Sequence, residues 1–287
     1  MLRISQIAFP GFGIGEFSVD SVAFMIGNID IAWYAIIIAL GMVAAIAYVI
    51  FKTKKIGLTA DDIIDYALFT IPIGVVGARL YYVFSKPENF NSLRDVFNLR
   101  SGGLAIYGGI IAGAITVYVV SRVKKIPFLA LADCAAPAVI LAQAIGRFGN
   151  FMNGEAFGAE TDIFCRMQLM NSLTGYKTVC VHPTFLYESL WNIIGFTLIN
   201  VFYKKKKYDG QWFLITFGWY GLGRMFIEGL RSDSLYASIF GINFRISQVL
   251  AGAIFITTLA ILLYLKIKKY KGEFYVKAAE NKTQKRK

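Results

Sequence analysis

The sequence predicts an all-α integral membrane protein: about seven transmembrane helices with a small external loop or head region. Three observations carry that reading. The 287-residue chain is 56% hydrophobic and has a mean hydropathy of +0.55, whereas soluble domains are roughly 45–50% apolar even with glycine counted. Seven apolar stretches have about the length needed to cross a hydrocarbon core of ~30 Å. Lysines cluster beside alternate stretches, as cytoplasmic flanks do. The net charge of +12 therefore belongs to membrane flanks. A nucleic-acid surface is excluded, because no basic stripe lies on a soluble domain.

Taken in order, residues 1–30 carry one early charge, Arg3, and lack the apolar core and small-residue cleavage site of a signal peptide. The first span, Ile31–Phe51, holds no charge over 21 residues. Ile63–Phe84 follows, with Asp65 and Arg79 inside it, and then Leu104–Val120. Phe128–Ile145 contains Asp133, Pro137 and Gln143, and Phe185–Phe202 contains Glu188. Trp212–Ile227 is short and carries Arg224, and Ile246–Leu265 is the last span. No internal repeat relates two halves. Residues 1–265 thus form a single polytopic membrane domain, and 266–287 a lysine-rich tail.

Lysine and arginine placement sets the orientation. The connections after the first, third and fifth spans, with the tail, hold 19 of these residues, and the opposite side holds 10 when Arg224 at the outer end of its span is included. The tail is therefore cytoplasmic, the N-terminus external, and a loop of about 146–184 external. The external positives are mostly arginine. Its planar fork suits bidentate binding of phosphate or carboxylate, so arginines at the lipid boundary point to a phospholipid headgroup.

The segment Gly146-Arg147-Phe148-Gly149-Asn150-Phe151-Met152-Asn153-Gly154-Glu155 places an arginine, two asparagines and a glutamate among three glycines directly after an apolar run. Irregular backbone at membrane depth survives only inside protein or along a wet cavity, and ionisable residues there mark functional sites. This segment is read as the floor of an active site. On a helix running past Gly229, Tyr220, Arg224, Glu228 and Arg231 project within about 80° of one another. Glu188, one turn into an apolar helix, needs a partner, and Arg79 is the candidate. His182, the lone histidine, precedes Pro183 and reads as a capping or packing residue. One histidine builds no usual metal site. Trp33-Tyr34 reads as an interfacial aromatic belt, and the glycine pairs around Tyr107 as close helix packing. Cys134 reads as inert packing. Cys165 and Cys180 share one loop, either bonded or as two thiols.

The Gly146–Glu155 run, Gly77-Ala78-Arg79-Leu80-Tyr81-Tyr82, Ser101 to Gly109, His182-Pro183-Thr184-Phe185-Leu186-Tyr187-Glu188 and Tyr220 to Arg231, in this order within seven spans, resemble the prolipoprotein diacylglyceryl transferase family. The resemblance covers nearly all the spans. It implies transfer of the diacylglyceryl group of phosphatidylglycerol to the thiol of a lipobox cysteine in a preprolipoprotein. The products are then a thioether-linked lipid and glycerol phosphate. It implies a multi-pass protein of the bacterial cytoplasmic membrane with its site toward the external face, and no cofactor, since the lipid is itself the group donor. Arg147, Asn150 and Glu155 match functional positions, as do Tyr34, Arg224 and Glu228, and Arg224 matches an arginine considered essential. Tyr107 stands where some members have a histidine proposed as base.

The chemistry assigns roles on the same residues. A thiol, with an unperturbed pKa of about 8.5, must ionise to attack. The leaving phosphate gains charge as the carbon–oxygen bond breaks, and fixed donors in a dry site stabilise it best. Arg147 and Arg224 clamp the phosphate, Asn150 and Asn153 orient oxygens, Glu155 or Glu228 positions an arginine or takes the thiol proton, and Tyr107 assists. Arg79, His182, Tyr187, Glu188, Tyr220 and Arg231 complete the lipid-binding set with Tyr34. The alternatives are a lipid or small-solute transporter using Asp65, Arg79, Asp133 and Glu188, and another lipid-linked group transferase.

Overall fold

A computed structural model describes residues 4–276 apart from 91, 99–101, 235, 240–241 and 273. Residues 277–287 of the expected lysine-rich tail, and Ser101, lie outside the described residues. Among the described residues six helices are long and apolar enough to cross a membrane, and the chain is a multi-pass membrane protein. The backbone falls into two compact units, Met1–Ala47 with Asp133–Glu273 and Tyr48–Ala132 with Phe274–Lys287.

The first unit opens with β1 (Ile4–Phe9) and β2 (Ile14–Asp20), then the hairpin β3 (Val22–Ile26) and β4 (Ile29–Ala32), which leads into α1 (Trp33–Thr53). It resumes within α5 (Phe128–Asn153), followed by β5 (Met167–Met170), β6 (Val179–Val181), α6 (Thr184–Phe202) and α7 (Gln211–Glu228). A hairpin of β7 (Tyr236–Ile239) and β8 (Ile242–Arg245) then precedes α8 (Ile246–Ile267). β2, β1, β5 and β6 form one antiparallel sheet in that order. Its buried face, Ile7, Val19, Met167, Leu169 and Val181, packs with Phe185 of α6 and against Phe151 and Met152 at the end of α5. A period-2 apolar face thus seats a small sheet on the helix ends that carry the candidate site.

The α5 helix is the enclosed element. Of its apolar window 56% is buried, against 11% in α1, α2 and α8, whose apolar side chains face outward as lipid requires. The second unit contains α2 (Ala60–Ser85), α3 (Leu93–Phe97) and α4 (Ile106–Lys124). Thr59 and Asp62 form a capping box that starts α2. A Cβ at Gly108 would lie 2.3 Å from the Gly77 carbonyl oxygen, so α2 and α4 touch backbone to backbone. Gly108 and Gly109 serve helix packing, as expected, whereas Gly102 and Gly103 precede α4 in left-handed backbone, with φ +81° and +78°.

The Gly146–Glu155 segment is not an irregular loop beginning at residue 146. Helix α5 runs through Asn153, and the first left-handed residue is Gly154, with φ +61°. Gly149 sits in the helix because the Tyr34 ring lies against it, 2.9 Å from where a Cβ would be. Helix α7 also stops at Glu228, so Arg231 lies beyond the helix. It is brought back by a turn in which Arg231 N–H donates to the Glu228 carbonyl at 3.2 Å.

Asp133, read from sequence as a candidate for a transport path, is structural. It is fully buried on α5, and its carboxylate accepts the Gly210 and Phe213 N–H groups at 2.8 Å each. It thereby caps the start of α7 from another helix. Lys206 Nζ lies 2.8 Å from Asp133 and also pairs with Asp209 at 2.5 Å. Asp133→Ala should lower stability by roughly 3 kcal/mol, the low end for a broken buried pair because Lys206 keeps Asp209. Thermal unfolding in detergent checks this, with activity per folded molecule expected to stay within about twofold.

Candidate active site

Four helix ends of the first unit converge: the start of α1 (Tyr34), the end of α5 (Arg147, Asn150, Asn153), the start of α6 (Glu188) and the end of α7 (Arg224, Glu228). Glu188 is the hub. It is buried, with Oε2 2.5 Å from Arg147 Nη2. Its Oε1 accepts from Arg224 Nη1 at 2.8 Å and from Arg231 Nη1 at 3.4 Å. Arg224 spans two carboxylates, since its Nη2 lies 2.5 Å from Glu228 Oε2. Glu228 is 2% exposed. Charges this deep persist only when paired.

On the α5 side, Arg147 Nη1 donates to Asn150 Oδ1 at 3.3 Å. Asn150 and Asn153 both donate to Glu155 Oε1, at 3.1 and 3.0 Å. One continuous polar chain therefore joins Asn153, Glu155, Asn150, Arg147, Glu188, Arg224 and Glu228. The Glu155 side chain is the partly accessible carboxylate of that chain, and Glu228 the occluded one. Asp233 closes the other end with a two-pronged contact to Arg231, Nε to Oδ1 at 2.9 Å and Nη2 to Oδ2 at 2.7 Å. Partial burial opposes ionisation of both groups, but the fork outweighs it. The Asp233 carboxyl sits below its ordinary pKa and the Arg231 guanidinium above its own.

Of the other residues expected in the site, Tyr34 packs on Gly149 beside Asn150. Tyr220 lies near enough to Arg147 to interact electrostatically. Tyr187 turns elsewhere: its hydroxyl shares hydrogen bonds with His182 Nδ1 at 3.3 Å and Cys165 Sγ at 3.4 Å. Burial pushes the His182 imidazole below its ordinary pKa. None of the three cysteines is in a disulfide.

Arg79 is not the partner of Glu188. In the second unit its five N–H donors go to five backbone carbonyls, those of Val96, Gly102, Gly103, Asp95 and Asn98. A guanidinium has five N–H donors, so none is left for a phosphate. The arginine instead organises the connection between α2 and α4. Tyr107 opens α4 in that same unit and is 38% exposed.

The sequence profile of the prolipoprotein diacylglyceryl transferase family matches residues 21–264 of this chain. The chain belongs to that family. Among its relatives, the phosphatidylglycerol–prolipoprotein diacylglyceryl transferase of Listeria welshimeri is 39% identical over 263 residues, covering 89% of this chain and 93% of the relative. The enzyme of the same name from Clostridium kluyveri is 41% identical, covering 86% and 97%. That of Clostridioides difficile is 44% identical, covering 76% and 85%. The chain is accordingly an enzyme, a transferase of lipoprotein biosynthesis.

Two residues that support this diacylglyceryl transferase site escaped the sequence reading. Asn171 is fully buried and donates to the Gly154 carbonyl at 2.8 Å and to Ser5 Oγ at 3.1 Å, tying the turn after α5 to the sheet. Its other amide atom accepts the Leu173 and Thr174 N–H groups. The capping pattern Asn171-Ser172-Leu173-Thr174 was the available signal. Arg245 Nη1 donates to the Glu228 carbonyl at 2.7 Å, closing the end of α7. No local pattern marks it.

Proposed function

We propose that this chain transfers the diacylglyceryl group of phosphatidylglycerol to the lipobox cysteine of preprolipoproteins, in the bacterial cytoplasmic membrane and with its site toward the external face. The observation that carries the reading is the cluster of partly buried Arg147, Arg224 and Arg231 around the buried Glu188, at helix ends whose flanks carry the fewer positive charges. Family membership supports the same reaction.

The cysteine thiolate attacks the glyceryl carbon that bears the phosphate ester oxygen. A carbon–sulfur bond forms, that carbon–oxygen bond breaks, and the electron pair leaves with glycerol phosphate. A phosphodiester with one negative charge becomes a monoester with nearly two. Arg147 and Arg224 face that gain of charge with guanidiniums already oriented by Glu188 and Glu228, so little reorganisation accompanies the reaction. Glu155 is the proton acceptor for the thiol, because it is partly accessible and held by two amide donors. Glu228, occluded and committed to Arg224, positions the arginine. Asn150 and Asn153 order Glu155, and Tyr34 walls the site beside them.

The two aspartates that suggested a transport path are locally neutralised. Asp65 pairs with Lys124 at 2.7 Å, and Asp133 with Lys206. The test is a transfer assay with purified protein, labelled phosphatidylglycerol and a lipobox peptide, alongside a Cys→Ser peptide. Label is expected on the cysteine peptide alone, with glycerol phosphate released. Folded protein that moves no label would overturn the reading. In the same assay Glu155→Gln should lower kcat by roughly 10²–10³-fold with little change in lipid KM, as loss of a general base does.

A further inference from the structure

Helices α6 and α7 are locked by two tryptophans that the reaction itself does not use. The indole N–H of Trp191 donates to the Trp219 carbonyl at 2.9 Å, and that of Trp219 to the Trp191 carbonyl, also at 2.9 Å. The rings stack at 4.2 Å between centroids and 16° between planes. Each ring lies on a glycine of the opposite helix. A Cβ on Gly195 would stand 2.2 Å from Trp219 Nε1, and one on Gly223 the same distance from Trp191 Nε1.

The spacing explains why glycine and tryptophan occur together. In an α-helix the carbonyl of residue i faces the N–H of residue i+4, and the Cβ of i+4 helps to cover it. Gly195 and Gly223 each stand four residues after a tryptophan of their own helix. They leave open the carbonyls that the opposing indoles reach. Both hydrogen bonds run between neighbouring helices joined by a short connection, so a slip of one residue, about 1.5 Å along the axis, misaligns both at once.

The register so set is the one the site needs. Glu188 lies one turn from Trp191 on α6, and Arg224 directly follows Gly223 on α7. Their ion pair, at 2.8 Å, bridges the same two helices. We propose that the reciprocal Trp191–Trp219 lock, seated on Gly195 and Gly223, is a positioning device that sets the α6–α7 register and thereby aims Arg224 at the leaving phosphate. The proposal rests on the transferase reading, and wild-type transfer in the same assay tests that reading separately.

Trp191→Phe and Trp219→Phe keep an aromatic ring on the glycine and remove one indole donor each. Each is expected to lower kcat about tenfold with the KM for phosphatidylglycerol within about twofold, while the unfolding temperature moves by only a few degrees. Glu188→Gln and Trp191→Phe combined should be little worse than Glu188→Gln alone, because both act through the aim of Arg224. Gly223→Ala, which drives a methyl into the Trp191 ring, should lose more activity than either Phe variant. Replacing Trp191 by Leu in that background should recover part of it by making room. The proposal is overturned if both Phe variants keep wild-type kcat, or if their losses only match the loss of folded protein. Effects of Glu188→Gln and Trp191→Phe that multiply independently would overturn it as well.

Discussion

Arg224→Ala is expected to lower diacylglyceryl transfer by roughly 10²–10³-fold or more, the scale for removing a fixed donor from a developing anion. The geometry adds a second loss. Arg224 holds Glu188 and Glu228 together, so its removal leaves the occluded Glu228 with Arg231 Nε, at 3.9 Å, as its ion-pair partner among the described residues. Arg224→Lys keeps the charge but supplies one ammonium where a fork reached two carboxylates. It should therefore recover only a small part of the lost rate. Label transferred per folded molecule, with folding followed by gel filtration in detergent, checks both variants. Near-wild-type transfer by Arg224→Ala would remove this arginine from the mechanism.

Glu188→Ala should be the most damaging single change to fold and activity together. Arg147, Arg224 and Arg231 all converge on this buried carboxylate, and without it three partly buried guanidiniums face one another. Breaking a buried ionic cluster from one side costs about 3–5 kcal/mol, so a lower unfolding temperature and no measurable transfer are expected. Glu188→Gln keeps the shape and one acceptor and should sit between the two. If Glu188→Ala unfolds at the wild-type temperature, the cluster does not hold these helix ends together.

The site was legible in the sequence to the extent that charge is rare within apolar helices. Arg147, Glu188, Arg224 and Glu228 stood out because an ionisable group at membrane depth demands an explanation, and the structure joins all four. Arg79 stood out for the same reason but serves the backbone. A sequence registers the need for a partner, and five carbonyls satisfy a guanidinium as well as a carboxylate does. The strands escaped because each has only three to seven residues. Their buried face is completed by pairing β1 with β5, some 160 positions away along the chain.

By itself the sequence determined that the chain crosses the membrane, about how many times, and which polar segments stand apart from the apolar background. Those properties follow from local hydropathy and local charge. Tertiary structure alone decided who pairs with whom: Glu188 with three arginines, Asp133 with the start of α7, Arg79 with a loop, and Trp191 with Trp219. Hydrogen bonds and ion pairs act over about 3 Å, and which groups come that close depends on helix register and packing, which no local pattern encodes.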